Sequence, residues 1–428
     1  MPHVADRETP LDKAPEPDLG TGIIPKERYT SVEFARLEWE RMWTRTWLLA
    51  GPLQDVRDPG DFFTFEIGPE SILVARDRDG RLHAHANVCL HRGNRLCEPG
   101  RGHAATFSCR YHAWEWNLDG TLRHATDPDS FRPGCLPAGL RLGALRCDAW
   151  GGFVWVTMHP DAPPLAEYLG VVPAHLAPYH FEEHVLVDDV TVAIDCNWKT
   201  CVDAFNEAYH VQAIHPELLE YSDDVNVQID LYDRHSRFIY PVGRPSPRLG
   251  KSTKIPRWLG DIVMRGSGID PDTFTGGVDD VRPAVFAATR QLGADLGMDL
   301  SELRDEQLLD DYHYTIFPNV TLNIHGRGFW LFRHRPHPTD PHRMLFDFQD
   351  YMRWSPQLGE RPRPAPRTDV MGGTSLGIVL DQDLYNLPRV QAGMRSSAFA
   401  GLVLGDQERR IRHFHKVLDH YLYGAPLP

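Results

Sequence analysis

The sequence predicts an α+β protein, with an N-terminal all-β domain followed by a larger domain that combines strands and helices. The chain has 428 residues, which is more than a single core usually holds. From about Trp47 to His159, short β-like runs such as D-F-F-T-F-E-I and G-F-V-W-V-T-M alternate with turn residues. After Pro164 a strand pattern, V-L-V-D-D-V-T-V-A-I-D, leads into a helical pattern that begins near Asn197. These observations indicate two domains of different composition.

The domain boundaries follow from changes in residue pattern. Pro, Asp and Glu dominate the N-terminus and cannot supply a core, so order is expected to start near Tyr29. Ser31 is a suitable N-cap for the helical pattern that follows it. We predict a flexible arm (1–28), a helix (29–46), the β domain (47–160) and the second domain (161–428), within which 241–275 forms a loop that covers a pocket.

Composition and charge exclude several classes of protein. The formal net charge is −14, and the 45 basic residues form no long run, so a nucleic-acid partner is not expected. No apolar stretch approaches the roughly 18 residues that cross a bilayer. The acidic, Pro-rich N-terminus lacks the pattern of a signal peptide. Seven cysteines are too few, and odd in number, for a secreted disulfide framework. We therefore expect a soluble, cytoplasmic protein.

Two short motifs in the β domain contain residues that bind soft or borderline metals. C-L-H-R-G places Cys89 and His91 together, and C-R-Y-H-A-W places Cys109 and His112 together. A single Cys or His is most often a packed or surface residue. Two such pairs in one small domain instead indicate a metal site, with Cys89, His91, Cys109 and His112 as its ligands.

The pairing of residue types bears on which metal is bound. Zinc accepts two Cys and two His in a tetrahedral site, but zinc fingers usually pair Cys with Cys and His with His. Here each motif contributes one Cys and one His. That arrangement favours a two-iron cluster in which both Cys bind one iron and both His bind the other. Zinc is the alternative metal.

These motifs, together with W-N-L-D-G-T-L and W-G-G-F-V-W-V, resemble the Rieske domain of the Rieske non-haem iron oxygenases, in particular the alpha subunits of the aromatic ring-hydroxylating type. The resemblance extends from about Tyr29 to Gly424. It implies a Rieske 2Fe-2S cluster, and a helix-grip catalytic domain in which an antiparallel sheet curves around a long helix. Cys97 is absent from the pattern and is expected to be a packed thiol.

A second candidate metal site lies in the stretch N-E-A-Y-H-V-Q-A-I-H-P, which contains His210 and His215. On a regular helix, residues five apart point about 140° away from each other. Pro216 disfavours α-helical backbone at His215, so the helix can end there and the second ring can turn toward the first. Two His and one carboxylate form the ligand set of mononuclear Fe(II) oxygenases.

For the carboxylate ligand, L-D-Q-D-L-Y-N-L-P-R-V-Q offers Asp381 and Asp383. In the oxygenases that this chain resembles, the acidic pair precedes a helix with a Gln eight residues further on, and Gln391 lies eight residues after Asp383. We therefore predict Asp383 as the third ligand of the mononuclear iron. Either aspartate could alternatively be a helix cap, and Asp381 suits that role well.

Glu207 lies three residues before His210, where the resembling family has an acid that links its two metal sites. The resemblance implies that Glu207 accepts a hydrogen bond from His112 of a neighbouring subunit and orients His210. It therefore also implies a cyclic oligomer, with a homotrimer expected. An ordinary solvated glutamate is the alternative.

The expected function is that of a terminal oxygenase component. A reductase, with or without a ferredoxin, would supply electrons through the cluster to a mononuclear Fe(II) that activates O2. The substrate is expected to be a hydrophobic small molecule, with an aromatic one favoured, and a small β subunit is compatible with the sequence. Monooxygenation, including N- or O-dealkylation, and cis-dihydroxylation both remain open. The alternatives are a Rieske electron carrier and an apolar-ligand binding protein, but a carrier needs only the β domain.

Overall fold

The computed structural model describes residues 13–251, 253–370 and 375–428. The contacts divide the chain into two compact units, one of Glu38–Tyr168 with His337–Thr339 and the other of the remaining residues. This division differs by several residues from the predicted boundaries at 46/47 and 160/161. The predicted α+β class is confirmed, because one unit is built on β-sheets and the other combines a large sheet with helices.

The N-terminal segment is structured earlier than expected. It contains β1 (Ile24–Pro25), α1 (Glu27–Thr30), α2 (Val32–Glu38) and a π-helical turn, Trp39–Trp43. The described part of the predicted flexible arm contacts the larger unit, since Ala14 N–H donates to Asp230 (2.8 Å) and Glu16 pairs with Arg409 (3.0 Å). Residues 1–12 of that arm lie outside the described part of the chain. The single predicted helix at 29–46 is therefore a series of short helical turns that ends at Trp43.

The smaller unit is an antiparallel β structure. Its strands are β2 (Leu48–Pro52), β3 (Asp61–Ile67), β4 (Glu70–Arg76), β5 (Leu82–Ala86), β6 (Arg101–His103), β7 (Phe107–Ser108), β8 (Glu115–Trp116), β9 (Leu122–His124), β10 (Ala144–Trp150) and β11 (Phe153–Thr157). They form a seven-stranded sheet in the order β2-β11-β10-β5-β4-β3-β6 and a three-stranded sheet, β7-β8-β9. Cys89 and Cys109 belong to the hydrophobic cluster of this unit, where they pack with Trp114 and Trp116.

The larger unit is built around an eight-stranded sheet in the order β13-β14-β15-β16-β17-β18-β12-β19. Its strands are β12 (His184–Ile194), β13 (Gln228–Leu231), β14 (Ser236–Tyr240), β15 (Asp311–Ile316), β16 (Val320–His325), β17 (Gly328–Pro336), β18 (Met344–Arg353) and β19 (Thr368–Val370); β20 (Gly401–Leu402) pairs with β1. Neighbouring strands of the sheet are antiparallel except β12 and β19, which are parallel.

α3 (Leu165–Leu169) belongs to the smaller unit except for its last residue. The helices of the larger unit that follow it are α4 (Val172–Leu176), α5 (Trp198–Ala204), α6 (Val211–Ile214), α7 (Val278–Asp295), α8 (Ile378–Met394) and α9 (Arg409–Tyr423). Short 3-10 helices cover Leu53–Val56, Pro128–Ser130, Ala177–Tyr179, Phe181–Glu183, Pro216–Glu220, Pro247–Leu249, Glu306–Leu308, Pro356–Leu358 and Asp406–Glu408. No helix among the described residues is long and apolar enough to cross a membrane.

The prediction of a loop over 241–275 is wrong for its central part. A π-helical turn, Leu259–Met264, lies there, and Leu259, Val263 and Met264 are buried in a cluster with Val281 and Val285 of α7. Gly, Pro and Ser flank this turn and gave the segment the composition of a loop. The apolar residues between them are too few to show a helical period, but they are sufficient to anchor one helical turn.

One face of the sheet, which we call the inner face, is defined by contacts with α5, α9 and the segment 205–210. Phe205 packs against Phe332 (4.8 Å between ring centroids) and Phe346 (5.9 Å). Thr315 is opposite Thr321, which in turn is opposite Phe332, so these side chains lie in one row across β15, β16 and β17. The inner face is therefore the side of the sheet next to His210 and its neighbours in the chain.

Candidate metal centres

The four predicted cluster ligands lie in two turns of the same design. In each turn the cysteine carbonyl accepts a hydrogen bond from the residue four positions on, Gly93 N–H or Ala113 N–H (both 2.9 Å). Each cysteine N–H donates to the carbonyl five positions on, at Asn94 or Trp114. The fourth position has a positive φ in both, 74° at Gly93 and 55° at Ala113. Two equivalent turns therefore each present one Cys and one His.

The two histidines are brought together. The rings of His91 and His112 are 4.6 Å apart between centroids, and His91 stacks on Trp114 at 4.7 Å. The Nδ1 atoms of both rings are buried and have no hydrogen-bond partner among the described residues. Leaving such a group without a partner is costly, and metal coordination would satisfy both nitrogens. The residues present therefore fit a cluster held by two thiolates and two imidazole Nδ1 atoms.

The surroundings of these side chains shift their proton affinities. Burial raises the pKa of Cys89. Burial also acts to raise the pKa of Cys109, but hydrogen bonds from the backbone N–H groups of Tyr111 and His112 outweigh it, and the pKa of Cys109 is lowered. Burial, and then the charges of His91 and Arg92, lower the pKa of His112. A thiolate at Cys109 and a neutral ring at His112 are the forms that bind metal. Burial raises the pKa of Cys97 to about 11, in agreement with a packed thiol.

The second candidate site depends on an interrupted helix. The sequence predicts one helix from Asn197 to His215, but α5 ends at Ala204 and α6 comprises only Val211–Ile214. His215 ends α6 with φ −125° and ψ 61°, outside the α-helical region, as expected before Pro216. His210 stands at the start of α6 and His215 at its end, and the non-helical backbone at His215 leaves their ring centroids 5.1 Å apart.

His210, His215 and Asp383 meet at one point. Asp383 Oδ1 lies 3.0 Å from His215 Nε2 and 3.7 Å from His210 Nε2. The possible ligand atoms of the three residues all lie within 4.8 Å of one another, so the three residues together could hold a metal ion. His215 and Asp383 are buried, and His210 is half-buried. The donor set, two neutral nitrogens and one carboxylate oxygen, fits Fe(II) with coordination positions left open.

Two side chains fix the orientation of the histidine rings. Glu207 Oε1 accepts from His210 Nδ1 (2.6 Å), and Glu207 Oε2 accepts from His210 N–H (3.0 Å). Gln382 Oε1 accepts from His215 Nδ1 (2.6 Å). A proton on each Nδ1 leaves a lone pair on each Nε2, the atoms that face Asp383. Burial acts to lower the pKa of His210, but the hydrogen bond and charge of Glu207 reverse that effect, so its pKa is raised.

Sequence reasoning overlooked Gln382. The signal was its position directly before Asp383, which places its side chain beside the candidate ligands. Asp381 is not the N-cap of α8, because that position is Gly377; it lies in the first turn and accepts from Leu376 N–H (2.8 Å) and from the Ser375 hydroxyl (2.5 Å). Gln391 is fully buried and accepts from Asn197 N–H (2.9 Å), which connects α8 to the start of α5.

A buried polar chain lies behind α5. The Tyr29 hydroxyl donates to Asp203 Oδ2 (2.5 Å) and contacts His415 Nε2 (2.7 Å), while Arg28 donates to His415 Nδ1 (3.3 Å) and pairs with Asp419 (2.7 Å). Burial raises the pKa of Asp203 to about 7, against the opposing hydrogen bond from Tyr29. The folded protein therefore favours a protonated Asp203 at mildly acidic pH.

Comparisons with known proteins add independent evidence. The family model described as ring hydroxylating alpha subunit (catalytic domain) matches residues 179–424, and the model described as Rieske 2Fe-2S domain matches residues 46–138. The glycine betaine monooxygenase oxygenase subunit of Pseudomonas aeruginosa is 30% identical over 202 residues, which are 46% of this chain and 46% of that protein. The carnitine monooxygenase oxygenase subunit of Escherichia coli is 31% identical over 233 residues, 52% of this chain and 59% of that protein.

The aligned segments cover about half the length of the curated relatives that the chain matches. Two solved structures share its fold. A quaternary ammonium Rieske monooxygenase in complex with L-carnitine has a TM-score of 0.68 at 18% identity, over 96% of this chain and 100% of that chain. Naphthalene 1,2-dioxygenase with indole bound has a TM-score of 0.67 at 18% identity, over 94% of this chain and 93% of that chain.

Replacing Gln382 by Ala is expected to weaken iron binding at the second site by about tenfold or more, because His215 loses the acceptor that fixes its ring. Iron retention during timed dialysis against a chelator, measured by metal analysis, tests this. Gln407→Ala, a change at a glutamine of the same unit that bonds to the Asp224 carbonyl (3.0 Å), is the control. Equal iron retention in the Gln382 variant and the wild type would contradict the role of Gln382.

Replacing Asp203 by Asn is expected to change the pH dependence of stability. A carboxyl whose folded pKa is raised stabilises the fold while protonated, and that contribution is lost as pH rises from about 4 toward 7. The melting temperature of the wild type, measured relative to that of Asp203→Asn at the same pH, should therefore fall between pH 5 and pH 8. The control is Asp129→Asn at an exposed aspartate. A difference between wild type and Asp203→Asn that stays constant with pH would show that Asp203 does not titrate in this range.

Proposed function

The chain belongs to the family of ring hydroxylating alpha subunits, and from that premise we propose that it is the terminal oxygenase component of a Rieske oxygenase system. The observation that carries the proposal is the convergence of His210, His215 and Asp383 in a chain that also presents two Cys/His turns. An electron carrier would have no use for the first group, and an apolar-ligand binding protein would use neither. The two candidate sites together favour oxygenation.

We propose that Cys89, Cys109, His91 and His112 hold a 2Fe-2S cluster and that His210, His215 and Asp383 hold a mononuclear Fe(II). When bound, the two groups supply one-electron transfer and O2 activation, respectively. The chain contributes orientation: Glu207 and Gln382 retain a proton on each His Nδ1 and direct each Nε2 toward Asp383. Two His and one carboxylate leave coordination positions free, which O2 binding beside a substrate requires.

The substrate proposed is a hydrophobic small molecule, with an aromatic one favoured. Support comes from the inner face, where Phe205 packs with Phe332 and Phe346 close in the chain to His210. The relatives include monooxygenases named for glycine betaine and carnitine and a dioxygenase named for biphenyl. Monooxygenation, including N- or O-dealkylation, and cis-dihydroxylation are therefore both retained in the proposal. Betaine-like and biphenyl-like compounds should both be screened with the reconstituted system. Identification of the products by mass spectrometry then separates monooxygenation from cis-dihydroxylation.

The proposed partners are a reductase, with or without a ferredoxin, and further copies of the chain in a homotrimer, to which a small β subunit could be added. Glu207 supports the idea of a route between sites because its carboxylate already binds the ring of a candidate iron ligand. In the proposed trimer it would also accept a hydrogen bond from His112 of a neighbouring subunit. Electrons would then pass from the cluster of one subunit to the mononuclear site of the next.

The purified protein should contain about three irons and about two acid-labile sulfides per chain. Replacing Cys89 by Ser should abolish the visible absorption of the cluster, whereas His210→Ala should preserve it and abolish product formation. Metal analysis, absorption spectroscopy and a turnover assay test these expectations. Stoichiometric zinc without sulfide would contradict the proposed function, and loss of cluster absorption in His210→Ala would contradict the division into two sites.

Replacing Glu207 by Gln should leave both sites filled but slow product formation by orders of magnitude. An amide retains a hydrogen-bond acceptor but lacks the negative charge that holds the His210 N–H group. The external donor should still reduce the cluster, while reoxidation of the cluster with substrate and O2 becomes slow in a stopped-flow single turnover.

The matched control for this change is Glu27→Gln, at an exposed glutamate of the same unit. Its reoxidation rate and product yield should equal those of the wild type. A pre-reduced Glu207→Gln protein that forms product at a near-normal rate would show that electrons cross by another route.

A further inference from the structure

The guanidinium of Arg410, in the first turn of α9, is fully buried against the inner face of the sheet. Its Nε donates to Ser236 Oγ (3.0 Å), and its Nη2 donates to Thr315 Oγ1 (2.8 Å) and to His313 Nδ1 (3.2 Å). Its Nη1 is buried with no hydrogen-bond partner among the described residues. A buried cation is costly unless it is well paired, yet these partners are all neutral.

The hydroxyl of Thr315 connects Arg410 to Asn206 through two hydrogen bonds. A guanidinium can only donate, so Thr315 Oγ1 accepts from Arg410 and its single proton is left for another acceptor. That acceptor is Asn206 Oδ1, at 2.5 Å. Arg410 therefore donates to Thr315, and Thr315 donates to Asn206. Hydrogen bonds in such a series polarise one another, so each bond is stronger than it would be alone.

Asn206 lies in the break between α5 and α6. Its side chain is fully buried, and its N–H donates to the Asp203 carbonyl (3.0 Å). The next residue is Glu207, whose carboxylate holds both the backbone N–H and the ring of His210. The polar chain therefore ends one residue before the group that orients a candidate iron ligand.

We propose that Arg410 and Thr315 are positioning residues that hold Asn206 and thereby place Glu207 for transfer of electrons to the mononuclear site. The inference rests on the proposed function for its kinetic consequence, but the structural step concerns only the chain itself. Side chains of the sheet and of α9, namely Thr315 and Arg410, hold segment 205–210 in place of a continuous helix. Loss of the Thr315 hydroxyl should free the segment without removing any metal ligand.

The test uses Thr315→Val and Thr315→Ser, which remove and retain the hydroxyl. The matched control is Thr321→Val. Thr321 lies opposite Thr315 on the next strand and is equally buried, but its hydroxyl contacts His334 Nε2 (3.2 Å) and takes no part in the hydrogen bonds that join Arg410, Thr315 and Asn206. Hydrogen exchange of the whole protein, followed by mass spectrometry, should show about tenfold faster exchange at the amides of 205–210 in Thr315→Val. Thr315→Ser should restore wild-type exchange, and Thr321→Val should leave exchange in that segment unchanged.

A second measurement follows cluster reoxidation in a single turnover with substrate and O2. Thr315→Val should slow it by about tenfold at unchanged cluster absorption and iron content, and Thr315→Ser should recover the rate. Arg410→Gln should change exchange and rate in the same direction; if that variant does not fold, the Thr315 pair decides alone. Unchanged exchange in Thr315→Val, or equal changes in Thr321→Val, would overturn the positioning role. A wild type without turnover would refute the proposed function, while the exchange result would still decide the role of Thr315.

Discussion

The geometry of the second candidate site depends on one constraint: the helical backbone that follows His210 must end at His215. On a continuous helix, His210 and His215 would point about 140° apart and could not share a metal. The non-helical backbone at His215, before Pro216, removes this separation. A second break, at 205–210, exposes backbone groups that a helix would satisfy. Glu207 meets part of that demand, because one carboxylate accepts both the backbone N–H and the ring N–H of His210. The group that stabilises the break is thus also the group that orients the ligand.

The two candidate sites differ in which ring nitrogen of their histidines is available to a metal. In the β unit, the Nδ1 atoms of His91 and His112 are buried and have no hydrogen-bond partner in the described part of the chain, so Nδ1 is the nitrogen available to a metal. In the larger unit, Nδ1 of each histidine is bonded to a side-chain oxygen and Nε2 faces Asp383. An oxygen acceptor on Nδ1 lets Glu207 contact the ring without competing for the metal. The choice of metal-binding nitrogen therefore decides which ring nitrogen of each histidine is left to donate to a carboxylate.

The sequence predicted those parts of the fold and sites that local patterns determine. The two Cys/His motifs could be recognised because each is a short turn with its ligands two or three positions apart, and the end of α6 followed from Pro216. The break after Ala204 was not predicted, because it depends on partners such as Thr315 that are more than 100 residues away. Gln382 was overlooked for the same reason, since its bond to His215 spans 167 positions. Glycine and proline around Leu259–Met264 concealed a turn that only packing against α7 reveals.

Side chains alternate between the two faces of the sheet along β15, and this alternation decides which residue reaches Asn206. Thr315 points to the inner face and bonds Asn206, whereas Tyr314 points to the other face, where Arg237 donates to its hydroxyl (3.3 Å). Arg237 is itself held by Asp230 (2.7 Å). A shift of one residue in the register of β15 would place Tyr314 or Ile316 at Asn206, and His313 or Thr315 at Arg237. Polar pairs on both faces therefore oppose such a shift, and the register that they specify is the one that holds the segment before Glu207.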